Sequence, residues 1–425
     1  MEKHTWDNGL RVLLLPEKEA MSASVDIWVE AGSRYESPAE QGISHFTEHM
    51  LFKGTGRRTA RQISEEIDGL GGTLNAYTTR AYTRYYAQAL AADPHPSGPA
   101  QVLDILLDML LHSRLDPEEL ELERGVILEE IAMYEDIGED LAHEALCGAV
   151  WPQSPLGRPV CGYPETVGGI TASTLRRYVS QTYTPERMLV VLAGHFDADG
   201  LLLRLEESLG RRPRGAGRPA ADTPGFCPGI TLRAKPFEQV SFEIGFPGLA
   251  YDDERRYAMM LLNFIVGGGA SSRLFQRLRE ERGLVYSIYS SHEAAAGTGL
   301  FTVSASVAPA NQREALREIR GVLDDLCRSG GITSAELERA RAQIKASVIL
   351  GMETVAARAF YAGQTQLFAG REIPVRETLD RLDEVTLEQV QALAASMFEG
   401  PWAYAAAGPV CPAEDVQAVF GRPSR

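Results

Sequence analysis

A chain of 425 residues, 44% hydrophobic and 24% charged, has the make-up of an ordinary globular protein and the length of two or three domains. With 42 Lys and Arg against 58 Asp and Glu the net charge is −16, which argues against a nucleic-acid partner and is compatible with neutral or basic peptide substrates. The five cysteines, Cys147, Cys161, Cys227, Cys327 and Cys411, include no CxxC pair; neither a disulfide framework nor a cysteine zinc site is expected, and a reducing compartment fits.

The N-terminal stretch MEKHTWDNGLRVLLLPE has one short apolar run ended by Pro16. It is neither a secretory signal nor an Arg-rich transit peptide, so a cytoplasmic protein without membrane attachment is expected. SASVDIWV (22–29) alternates as a strand does. GISHFTEHMLFKGT (42–55) reads as a helix, and GGTLNAYT (71–78) as a tight turn leading into a strand. DPEELELERGVILEEIAMYED (116–136) is an acidic helix with Asp116 as its N-cap. The Pro- and Gly-dense segment RRPRGAGRPAADTPGFCPG (211–229) reads as a linker, which divides the chain into domains 1–212 and 229–425 around residues 213–228.

The second half repeats the first. QVSFEIGF (239–246) is again an alternating strand, and ITSAELERARAQIK (332–345) can be laid over LDPEELELERGVIL (115–128). Glu119, Leu120, Glu121, Arg124 and Ile127 then match Glu336, Leu337, Glu338, Arg341 and Ile344, each 217 residues later. The expected fold class is α+β: two duplicated domains, each a mainly antiparallel sheet covered by helices. YAMMLLNFIVGGGA (257–270) is too short to span a bilayer. GGGASSR (267–273) lacks the GK[ST] ending of a phosphate-binding loop and reads as a turn or hinge.

Chemistry concentrates in residues 45–49. On a helix His45, Glu48 and His49 share one face, so two imidazoles one turn apart can bind one Zn²⁺ ion while the carboxylate between them holds a water. An exposed helix with incidental histidines has the same spacing, so the pattern alone does not decide. None of the other six histidines (His4, His95, His112, His143, His195, His292) has a partner at ligand spacing. A catalytic zinc needs a third protein ligand, and the acidic helix offers Glu123, Glu129 and Glu130; periodicity does not choose among them. Adding 217 to 45, 48, 49 and 130 gives Leu262, Ile265, Val266 and Ser347, so only the first half can hold the metal.

AGSRYE (31–36), GISHFTEHMLFKGT (42–55), GGTLNAYTTRAYTRYY (71–86), ERGVILEEIAMYED (123–136), PLGRPVCGYPETV (155–167), SSRLFQRLREERGLVYSIYS (271–290) and ITSAELERARAQIKASVILGMET (332–354) together resemble the pitrilysin/insulinase family of inverted-zincin (HxxEH) metallopeptidases. The likeness is greatest to the branch of the mitochondrial processing peptidase and the short bacterial enzymes. The resemblance implies one zinc ion per chain held by His45, His49 and Glu130, with Glu48 as general base and Glu123 orienting a ligand. It places Asn75 and Ala76 on an edge strand that pairs with the substrate, and directs Arg279 and Tyr286 to the substrate carbonyl and the oxyanion. Against the family's spacing, the gap between His49 and Glu130 is a few residues long; an insertion at ADPHPSGPA (92–100) accounts for it. The implied activity is zinc endopeptidase action on unfolded peptides inside a dimeric chamber. Arg279 and Tyr286 of one copy would complete the zinc site of the other. The alternatives are a catalytic subunit that needs a different partner to process a peptide precursor, and a non-catalytic scaffold.

Overall fold

The strands are arranged twice in the same order. In the computed structural model, which describes residues 1–91, 96–218 and 220–423, β1 (Glu2–Thr5), β2 (Arg11–Pro16), β3 (Ser22–Val29), β4 (Thr73–Thr78), β5 (Thr83–Leu90) and β6 (Met188–Gly194) form a sheet ordered β1-β2-β6-β3-β5-β4. β7 (Gly229–Ala234), β8 (Val240–Pro247), β9 (Val285–Ala295), β10 (Thr298–Val307) and β11 (Ala403–Gly408) form a second, ordered β7-β11-β8-β10-β9. Leaving β1 aside, the two orders superimpose strand for strand. Each sheet has a single parallel pair, β2 with β6 and β11 with β7, and is otherwise antiparallel. The expected α+β duplication is the observed architecture. His95 and residues 92–95 of the expected insertion lie outside the described residues.

The chain separates into two compact units, each of three segments: Met1–Ile131, Pro159–Ala220 and Gly351–Ile373, and then Ala132–Arg158, Ala221–Leu350 and Pro374–Arg425. Each unit therefore takes one helix from the far half of the sequence. The helix Val355–Ala369 packs on β3 and β6, and the helix Gly138–Val150 packs on β7, β8 and β11. Since 138 + 217 = 355, these are equivalent elements of the repeat, exchanged.

The exchanged helices explain the strand compositions. β3 is buried on both faces, as a strand between two layers must be. Val25, Ile27 and Val29 face the larger core, with Phe46 and Met50, while Trp28 faces Ala359 and Ala362 of the exchanged helix. A Cβ at Gly363 would stand 2.5 Å from the Trp28 indole, so only glycine fits opposite that ring. The equivalent pair in the second unit, 217 residues along, is inverted: Gly245 lies on the strand and Leu146 on the helix, and a Cβ at Gly245 would meet Leu146 at 3.1 Å. Large-on-strand in one unit becomes large-on-helix in the other, filling a comparable space.

Buried acids occupy the same register. Asp26 takes Arg84 at 2.5 and 3.0 Å and Ser24 at 2.9 Å. Its counterpart Glu243 takes Ser304 at 2.7 Å and lies 3.1 Å from His143 Nδ1. Burial works against a charge on His143, but hydrogen bonds with Cys147 and Glu243 prevail and its pKa is pushed up to about 12. A folded-state value above the ordinary histidine value contributes stability that is full below about pH 6.5 and is lost as the pH rises towards the folded value. His143→Gln should therefore cost about 3 kcal/mol near pH 6, the low end for removing the cation of a buried pair, and the cost should shrink by pH 10. Denaturant unfolding at the two pH values measures this; a cost independent of pH would show that the imidazolium is not the stabilising form.

None of the five cysteines is in a disulfide; Cys147 is buried and the others are half-buried. Among the described residues no helix is long and apolar enough to cross a membrane.

Candidate metal centre

The helix Ile43–Leu51 begins at Gly42, which admits no side chain: its φ is +89°, and a Cβ there would stand 2.5 Å from the Cys161 carbonyl oxygen. Its first turn is capped from a distance. The Glu36 carboxylate accepts the N–H groups of Gly42 and Ser44, each at 2.8 Å, and places negative charge at the helix N-terminus. Ile43, Phe46, Met50 and Leu51 bury one side of the helix in the core. The opposite stripe carries His45, Glu48 and His49.

His45 Nε2 and His49 Nε2 are 3.2 Å apart, and Glu130 Oε2 lies 3.6 and 3.7 Å from them. Among the described residues these three form the one group of His, Cys, Asp or Glu that could hold a metal ion. Four ligands at tetrahedral angles and bonds near 2.0–2.1 Å stand about 3.3 Å apart, so the donor set fits a zinc ion. Of the three glutamates left open by periodicity, Glu130 faces the imidazole pair, Glu123 faces the back of His49, and Glu129 is exposed.

The surroundings tune the donors. Burial, with the neighbouring His49, pushes His45 down to about 3, so it stays neutral. Burial also acts against a charge on His49, but its hydrogen bond with Glu123 and the nearby carboxylates raise it overall. The two Nε2 atoms stand at hydrogen-bond distance, a place where a bound cation would displace any shared proton. Glu123 Oε1 is 2.8 Å from His49 Nδ1, and Lys53 binds its other oxygen. These contacts outweigh burial and hold Glu123 below the usual carboxylate range. With Nδ1–H given to Glu123, the His49 Nε2 lone pair is left to face Glu130 and His45, as a metal ligand would require. Glu48 is also buried, and burial raises its pKa although Thr78 donates a 2.5 Å hydrogen bond to Oε2.

Asn75 and Ala76 lie on β4, the outer strand of the first sheet. The Thr79 N–H closes the β4–β5 hairpin on Tyr82, so by alternation the backbone groups of Leu74, Ala76 and Thr78 face outwards. The Ala76 N–H is covered by the Asn75 side-chain oxygen at 2.8 Å. Arg279 and Tyr286 come together in the second unit: the guanidinium sits 5.3 Å from the tyrosine ring centre, and Tyr286 is 78% exposed. Sequence reading passed over Glu36, Lys53 and Thr78. Lys53 stands one turn beyond His49, and Thr78 two residues beyond Ala76 on the same strand face, so spacing alone points to both; Glu36 has no such local signature.

Two family models match the chain: Insulinase (Peptidase family M16) over residues 11–163, and Peptidase M16 inactive domain over residues 169–344. The second match covers the half whose register carries Leu262, Ile265 and Val266 in place of ligands. A Bacillus subtilis (strain 168) protein named as the uncharacterized zinc protease YmxG is 37% identical over 96% of this chain and 98% of its own length. An uncharacterized zinc protease of Streptomyces coelicolor is 37% identical over 94% and 87%. The solved structure of a protease from Helicobacter pylori shares the fold at a TM-score of 0.85 and 20% identity, covering 96% of this chain and 99% of that one. A peptidase M16 inactive domain structure from Pseudomonas fluorescens gives 0.85, 20%, 96% and 98% in the same measures. With both family models matched in sequence order and relatives 37% identical over nearly its whole length, this chain belongs to the insulinase family, peptidase family M16.

Proposed function

We propose that the chain is a zinc-dependent endopeptidase acting on unfolded peptides. The observation that carries this is the convergence of His45 Nε2, His49 Nε2 and Glu130 Oε2 within 3.7 Å, on the helix that also bears the buried Glu48. The ion these residues would hold supplies Lewis acidity, polarising a scissile carbonyl and acidifying a water. Glu48 takes the water proton and delivers it to the leaving amine. The outward groups of β4 bind an extended peptide as an added strand, with the Asn75 amide released to grip it. Arg279 donates to the substrate carbonyl, and the Tyr286 hydroxyl donates to the developing oxyanion. Intact His45, Glu48, His49 and Glu130 speak against a purely structural role.

The test is cleavage of a quenched library of unfolded peptides. Chelation should abolish it, one equivalent of zinc should restore it, and peptides with basic flanks should be favoured because the chain carries a net charge of −16. Cleavage indifferent to chelation would end the zinc reading, and equal cleavage of acidic and basic peptides would end the charge preference.

The same reading makes the active species a homodimer enclosing the substrate in a chamber, with Arg279 and Tyr286 of one copy serving the zinc site of the other. Glu48→Gln and Tyr286→Phe chains, mixed in equal amounts and re-equilibrated, should then regain activity at about a quarter of the sites, since half the dimers are mixed and each holds one intact site. If the mixture is no more active than the better mutant, the exchange between copies is wrong. Full activity from a heteromeric complex only would favour a processing partner instead.

A further inference from the structure

We infer that Thr78 is a positioning residue for the proposed hydrolysis: its hydroxyl holds the Glu48 carboxylate in the orientation from which it takes a proton. This rests on the endopeptidase reading above. Glu48 Oε2 receives the Thr78 hydroxyl at 2.5 Å, and no other hydrogen bond reaches this carboxylate among the described residues. A buried carboxylate with one partner owes its orientation to that partner, because any other rotamer leaves an acceptor unsatisfied.

The hydroxyl suits both protonation states of the base. Its second neighbour is Thr83 Oγ1, at 3.2 Å. Thr83 is buried and gives its own proton to the Ala31 carbonyl at 2.9 Å. A carbonyl cannot donate in return, so Thr83 offers Thr78 only an acceptor. While Glu48 is ionised, Thr78 donates to it. Once Glu48 carries the proton taken from water, Thr78 can rotate, donate to Thr83 and accept from Glu48. Thr78 keeps its own proton throughout, and its hydrogen bond with Glu48 persists in both states.

The same residue lies on the strand proposed to receive the substrate. Alternation turns the Thr78 backbone to the outer edge of β4 with that of Ala76, while its side chain points to the metal helix. A peptide pairing with β4 therefore steadies the strand that orients the base. Removing the hydroxyl leaves this backbone edge in place, so substrate affinity and turnover should separate.

Thr78→Val keeps the side-chain shape, and Thr78→Ser keeps the hydroxyl. In the zinc-loaded full chain, Thr78→Val should lower kcat about 10- to 100-fold, the range for loss of a supporting contact around a metal site, with KM and zinc affinity unchanged. Thr78→Ser should restore most of the rate. Crystals of zinc-loaded Thr78→Val should show the Glu48 carboxylate in more than one orientation, against one in the unsubstituted protein. Wild-type kcat in Thr78→Val, equal losses in the Ser and Val variants, or a single unchanged Glu48 orientation in those crystals would each overturn the inference. If the unsubstituted chain cleaves no peptide, the endopeptidase reading fails, and the crystallographic orientation of Glu48 still decides the role of Thr78.

Discussion

Zinc-loaded Glu48→Gln should bind its metal normally and cleave peptides about 10²- to 10⁴-fold more slowly than the unsubstituted chain, the range that a general base supplies. Glutamine is close in shape, and its side-chain oxygen can still accept the Thr78 hydroxyl 2.5 Å away. It has no basic oxygen for a water proton. The proposed ligand atoms belong to His45, His49 and Glu130, and Lys53 and Glu123 keep their contacts around His49, so the proposed metal site is left standing. Library cleavage and zinc content, measured together on both proteins, check this. Retained cleavage would place the base elsewhere. Loss of zinc with loss of cleavage would make Glu48 a structural member of the site.

Gly363→Leu should destabilise the first unit by about 3 kcal/mol, at the upper end for forcing atoms into a filled core. The new Cβ would begin 2.5 Å from the Trp28 indole. Leucine is a better helix former than glycine, which lies roughly 0.8–1.0 kcal/mol below alanine, so any loss comes from the clash and not from the helix. Trp28→Gly alone should cost about 3–5 kcal/mol by leaving a cavity. The double variant reproduces the arrangement that the second unit already uses, with Leu146 on the helix against Gly245 on the strand. It should be more stable than the sum of the single changes by at least about 1 kcal/mol, within the range for contacting residues. Urea unfolding of the four proteins closes the cycle; strict additivity would mean that the two positions do not share one space.

Much of the fold is readable in the sequence alone. Period-two alternation locates β3 at 22–29 and β8 from 240, and the constant offset of 217 residues matches the repeat that the two strand orders display. Helical spacing puts His45 and His49 on one face because neighbours one turn apart need no tertiary information. The choice of Glu130 over Glu123 comes from likeness to a family, since both lie on one face of a helix and only a three-dimensional partner separates them. The exchange of the helices at 138–150 and 355–369 is out of reach: each is a helix with an apolar side, and periodicity does not say which sheet that side meets. The Glu36 cap is hidden for a similar reason. It works six and eight residues ahead of its donors, beyond the spacing of a local capping box.

The exchanged helices also bear on how the protein is made. β6 ends at Gly194, so every strand of the first sheet has then been synthesised, but the helix that covers Trp28 runs only to Ala369, 369 − 194 = 175 residues later. At about 5–20 residues per second, the ribosome delivers that cover on the order of ten to thirty seconds after the sheet. Through that interval Leu13, Trp28, Leu189 and Val191 have no partner layer. A nascent chain with such an apolar face is a natural client for a holding chaperone, and a message truncated near the middle should yield an aggregating fragment.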